Sequence, residues 1–74
     1  MSDSEYLVKP NDRFLRMIEV VEITTLSRAH IYNLVARGNF PQQVKLSAKA
    51  AGWLHSEILE WMESRVAESR KLAA

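Results

Sequence analysis

Between Ser27 and Arg37 the chain reads SRAHIYNLVAR, a run of side chains suited to reading nucleic-acid edges. An arginine fork matches the two acceptors of guanine, an asparagine amide pairs bidentately with adenine, and a histidine N–H donates to a guanine acceptor. A small alanine admits close approach or touches a thymine methyl. On a helical wheel of about 100° per residue, Ile31, Leu34 and Val35 form one apolar stripe, and Ala29 and Asn33 point most directly away from it. His30 and Arg37 flank one side of that outward face and Tyr32 flanks the other. Arg28 falls nearer the apolar edge, but its long stem can carry the guanidinium outward.

Such a face is useful only if a packed core holds it out to solvent. Residues 18–37 contain two short helical patterns joined by a break at Thr25, Leu26 and Ser27. In the first, Met17, Val20, Val21 and Thr24 recur at helical spacing over about two turns, while Glu19 and Glu22 lie off the stripe, near the positive end of the helix dipole. Ser27 suits the N-cap of the second, since its hydroxyl accepts an otherwise orphaned backbone N–H. That helix stops at Gly38, which takes left-handed backbone without a steric penalty. Two helices joined this tightly form a helix-turn-helix, in which the second can be pushed outward into a DNA groove.

Downstream, Asn39-Phe40-Pro41 breaks the helical register, because Pro41 drives the residue before it toward extended backbone. Val44 and Leu46 alternate with Gln43, Lys45 and Ser47, a strand pattern. After a turn near Ala48 and Lys49, the run Ala51-Gly52-Trp53-Leu54 returns as its hairpin partner. Ser56 is expected to cap a last helix over residues 57–70, with Ile58, Trp61, Met62 and Val66 facing inward. Trp53 and Trp61, the largest apolar surfaces available, should anchor the core. The Pro10-Asn11-Asp12 turn signal ends an aperiodic start, read as a flexible arm over residues 1–12. Residues 13–70 then form one domain and residues 71–74 a tail. The expected fold is mainly α with a small β-hairpin, three helices around one core.

Seventy-four residues allow one small domain, and the absence of cysteine removes disulfides and thiolate metal sites. The net charge of +1 hides an asymmetry. Residues 1–12 carry a net of −2, residues 13–49 a net of +4, and residues 50–74 a net of −1. The positive charge therefore sits in the helix-turn-helix and hairpin, as a phosphate-facing surface requires. Catalysis is not expected: the two histidines, His30 and His55, lie far apart, the glutamates follow a helical surface period, and Gly38 and Gly52 make no phosphate loop. No cofactor or metal is implied. With no apolar run near the roughly 20 residues of a membrane span and a polar start unlike a signal peptide, the expectation is a cytoplasmic protein without a membrane partner.

Several short motifs, in order, resemble the AlpA-type prophage regulators, relatives of phage excisionases and of MerR-like winged-helix DNA-binding domains. They are Leu15-Arg16, Glu19-Val20, Thr24-x-Leu26-Ser27-Arg28, Ile31-Tyr32, Gly38-x-Phe40-Pro41, Val44-Lys45-Leu46 and Gly52-Trp53, with the spacing on to Glu57 and Trp61. The resemblance spans residues 12–65. It implies a winged helix-turn-helix that binds specific DNA sites, with residues 27–33 opening the recognition helix and residues 45–49 forming the wing. Two positions depart from the pattern. Thr25 stands where the family often has glycine, which predicts a somewhat altered turn, and Ser47-Ala48-Lys49-Ala50 replaces a glycine-rich, arginine-bearing wing tip.

The N-terminal part of a recognition helix meets base edges, so Arg28, Ala29, His30 and Asn33 are the candidates for base contacts. Arg16, Ser27, Tyr32, Arg37, Lys45 and Lys49 are the candidates for the DNA backbone, where contacts set register and affinity without specifying sequence. The implied partner is double-stranded DNA in a bacterial cytoplasm, at the nucleoid. One small domain reaches little DNA, so further copies of the protein on the same DNA are also expected. The reading is a transcriptional regulator of a prophage or integrated element. The alternatives are an excisionase-like factor that bends attachment-site DNA beside an integrase, and a protein-binding adaptor.

Overall fold

Leu15 is fully buried, carried by a two-residue strand, β1 (Phe14–Leu15), in the computed structural model, which describes residues 8–73. β1 lies antiparallel to β3 (Ala50–Leu54), with Phe14 opposite Leu54 and Leu15 opposite Trp53. On its other edge β3 pairs with β2 (Val44–Ser47), so the sheet order is β1-β3-β2. The expected hairpin is present, widened by a strand too short to show alternation in sequence. Helices α1 (Met17–Thr24), α2 (Arg28–Ala36) and α3 (His55–Ala73) complete a winged helix-turn-helix, mainly helical with a small antiparallel sheet.

Leu15, Met17, Val20, Ile31, Phe40, Trp53 and Ile58 form the core. Three helices, two strands and the loop after α2 each contribute, so one apolar cluster ties the domain together; each fully buried side chain is worth roughly 1.5–3 kcal/mol. Phe40 is the hinge pin of this cluster. Its ring meets Trp53 edge-on at 6.0 Å and Trp61 at 4.7 Å. The indole N–H groups then bond the backbone on either side of it: Trp53 Nε1 donates to the Pro41 carbonyl at 2.7 Å and Trp61 Nε1 to the Asn39 carbonyl at 2.7 Å. A buried indole needs such a partner, and here it also fixes the link between α2 and the hairpin. Trp53 is wholly buried as expected, whereas Trp61 sits half-buried at the rim.

Gly52 is required by close approach rather than by dihedral freedom. A Cβ there would lie 2.8 Å from the Leu15 carbonyl oxygen, a backbone atom that cannot swing aside. Only glycine lets β1 close on β3 at this level.

The start of α3 differs from the sequence expectation. Helix α3 begins at His55, and Ser56 is not its own cap. Asp12 takes that part from 44 positions away, accepting the Ser56 N–H on Oδ1 at 3.0 Å and the Ser56 hydroxyl on Oδ2 at 2.6 Å. The Asp12 carboxylate also accepts the N–H of Arg13 at 2.9 Å, and the His55 N–H donates to the Arg13 carbonyl at 2.8 Å. The last residue assigned to the arm is thus docked on the domain; residues 1–7 lie outside the described part. At its other end α3 runs on to Ala73, through Arg70 and Lys71, whose cations suit the negative end of the dipole. Val66, expected inward, is 47% exposed, at the border of the groove that α3 shares with α2.

Candidate nucleic-acid interface

The joint before α2 is built from hydroxyls. The Thr24 side chain donates to the Val20 carbonyl at 2.7 Å and accepts the Leu26 N–H at 3.3 Å, closing the end of α1 around the turn. Thr25 follows at φ 64° and ψ 12°, with its N–H on the Val21 carbonyl at 2.9 Å. The turn therefore adopts, with threonine, the left-handed backbone that glycine favours. The Ser27 hydroxyl then accepts the His30 N–H at 3.1 Å, the N-cap read from sequence.

The far end of α2 is closed as well. Gly38, at φ 74°, donates to the Val35 carbonyl at 3.1 Å, and Asn39 donates to the Leu34 carbonyl at 2.8 Å. This paired bonding is the Schellman arrangement, which satisfies carbonyls that would otherwise end the helix unbonded. With both ends capped and Phe40 clamped beyond it, α2 presents a face of fixed orientation.

That face is open to solvent. Arg28, Ala29, His30, Tyr32, Asn33 and Arg37 are all exposed, while Ile31 is wholly buried and Leu34 and Val35 are half-buried. The inward stripe and the outward face are those of the helical wheel. His30 is placed apart from the other base-contact candidates: it lines a groove toward α3 with Leu26, Leu34, Trp61, Met62 and Arg65. Arg65 lies in the C-terminal segment of net negative charge, yet its guanidinium lies 5.6 Å from the centre of the Trp61 ring and the residue lines the same groove. The signal for it was the i, i+4 spacing from Trp61.

In the hairpin, Gln43, Lys45, Ser47 and Lys49 surround one shallow concavity, so the two lysines expected to face phosphate come together. An irregularity between Lys45 and Ser47 sets Ser47 opposite Ala50 and leaves Leu46 as the extra residue, a bulge that twists the strand pair. The Lys49 N–H bonds the Ser47 hydroxyl at 3.3 Å across the tip. Gln43 was not singled out from sequence, where it read only as the polar half of an alternation.

Arg16 stands exposed at the start of α1, where its N–H donates to Glu19 Oε1 at 3.0 Å. Glu19 also takes the Arg13 guanidinium on Oε2 at 3.0 Å. These bonds, the Arg16 N–H first and Arg13 second, hold the Glu19 carboxyl below its ordinary pKa and keep it charged. Arg13 is thus internally neutralised. Among the described residues, Arg16, Arg28, Arg37, Lys45 and Lys49 have no such carboxylate partner. Unneutralised cations on α2 and the hairpin are what an anionic polymer would meet. Among the described residues no group of three or more His, Asp or Glu could hold a metal ion, and no helix is long and apolar enough to cross a membrane.

Comparison with known proteins gives this geometry a lineage. The family model for the prophage CP4-57 regulatory protein (AlpA) matches residues 13–66. The chain is 47% identical over 60 residues to an uncharacterized protein, ORF88, of Enterobacteria phage P4, covering 81% of this chain and 68% of that one. It is 34% identical over 59 residues to the DNA-binding transcriptional activator AlpA of Escherichia coli K12, covering 72% of this chain and 84% of that one. The family match runs from just before β1 through the helix-turn-helix and hairpin into α3, and this chain belongs to the AlpA family of prophage regulatory proteins.

Proposed function

We propose that the protein is a sequence-specific transcriptional regulator of a prophage or integrated element, reading double-stranded DNA with α2 in the major groove and gripping the backbone with the hairpin. The observation that carries this reading is the exposed face of a doubly capped α2, flanked by cations that no carboxylate among the described residues neutralises. Family membership supports it, as does the name of the E. coli relative, a DNA-binding transcriptional activator. In this reading Arg28, Ala29, His30 and Asn33 meet base edges, and Arg16, Tyr32, Arg37, Lys45 and Lys49 meet phosphates. Ser27 joins the phosphate set through its hydroxyl proton, since only its oxygen is engaged by the cap. The protein acts where the DNA is, in the bacterial cytoplasm.

The test is an unbiased selection of bound DNA by the purified protein at physiological salt. An enriched motif is the expected result. Binding without enrichment would favour an architectural part in excision beside an integrase, and no retained DNA even at low salt would overturn the groove-reading assignment.

A further inference from the structure

The distal half of α3 is longer than the fold needs. Every described residue from Glu63 to Leu72 is exposed, and the molecule extends 47 Å along its long axis against 29 and 21 Å across it. Arg65 and Val66 border the groove shared with α2, but a helical extension this exposed is marginal in water. This one nevertheless carries an organised stripe. Leu59, Met62, Val66 and Ala67 line an open apolar trough together with two charged groups, Glu63 and Arg70. Leu59 is 39% and Val66 47% exposed.

We infer that a second copy of this chain covers the trough, by antiparallel pairing of α3 with α3 about a two-fold axis between Val66 and Ala67. The charges select this occupant and this direction. Glu63 and Arg70 lie at equal distances on either side of that midpoint, so antiparallel pairing sets Glu63 of each copy beside Arg70 of the other. Parallel pairing would stack Glu63 on Glu63 and Arg70 on Arg70, which repel. The small Ala67 lets the two axes approach, Val66 fills the centre, and the opposed helix dipoles add to the attraction. Because the same patch is used on both sides, the contact closes at two copies. The stripe covers only about 16 Å of helix, from its rise of roughly 1.5 Å per residue. The interface therefore falls below the roughly 1,000 Å² of a persistent complex, and the pair is reversible and concentration-dependent.

Sedimentation equilibrium of the full chain without DNA, from about 10 µM to about 1 mM, tests this independently of any DNA reading. The mass is expected to rise from one chain to two. Glu63→Arg or Arg70→Glu alone should weaken the pair at least about tenfold, and the double variant E63R/R70E should restore it. Val66→Glu should leave a single chain at all concentrations. These positions lie outside the core, so unchanged thermal melting at low concentration verifies that each variant folds. A single-chain mass throughout overturns the inference. So does a dimer indifferent to the single reversals, one that the double variant fails to rescue, or growth beyond two copies.

Discussion

Thr25 places a β-branched side chain in left-handed backbone at φ 64°, where L-residues are disfavoured by roughly 1–2 kcal/mol. Glycine would remove that penalty and give back about 0.5–1 kcal/mol in chain entropy. Thr25→Gly should therefore stabilise the domain by about 0.5–1 kcal/mol, raising Tm by about 2–8 °C, read by thermal denaturation. A loss of stability would mean that the Thr25 hydroxyl, bonded to the Thr24 carbonyl, contributes more than the dihedral costs. On the proposed DNA face the residues divide by what they touch. Arg28→Ala and Asn33→Ala should each relax preference at one operator position, by about 1–3 kcal/mol, in competition binding against single-base variants. Lys49→Ala should weaken all sequences alike and reduce the steepness of the salt dependence by about one unit. If Lys49 changed base preference instead, the hairpin would be a reader and not a grip.

Among the elements, α3 depends on a remote group for its start. The Asp12 carboxyl is held below its ordinary pKa chiefly by the Ser56 hydroxyl, with the backbone N–H groups of Ser56 and Arg13 adding to it. A carboxyl depressed on folding contributes stability that is present above its unfolded pKa and lost as pH falls through the folded value. Asp12 and Glu19 both have this sign, so stability should fall as pH drops from about 5 toward about 2. Asp12→Asn should lower stability at neutral pH and flatten the acid limb of a pH series of urea melts; an unchanged limb would remove Asp12 from that role. The same bond marks the limit of sequence reading. Helices α1 and α2 were legible because their stripes and the caps of α2 are local: Ser27 sits three residues from the N–H it caps, and Gly38 follows the C-cap residue Arg37. The hairpin was legible from alternation at residues 43–47. Strand β1 has only two residues and no alternation, and the cap of α3 joins groups 44 positions apart, so both required the assembled chain. The outward face of α2 followed from the wheel, but the placing of His30 beside Arg65 depends on where α3 crosses, which no local pattern encodes.

For the whole molecule, charge is divided by position more than by total. If each copy neutralises about four phosphates, log affinity should fall against log salt with a slope of about −3.6. Fluorescence anisotropy with a labelled operator at several salt concentrations measures it. A slope near zero would show that the cations of α2 and the hairpin do not meet phosphate. The clamp around Phe40 has an optical consequence. The chain has two tryptophans, and both hold the loop that links the base-reading helix to the hairpin, one in a dry environment and one at the solvent boundary. Their ultraviolet emission is thus a native reporter of that single joint, free of added dye. A spectral change on adding operator would be the signature of helix and hairpin swinging relative to each other; constant emission would mean that they engage DNA as one rigid piece.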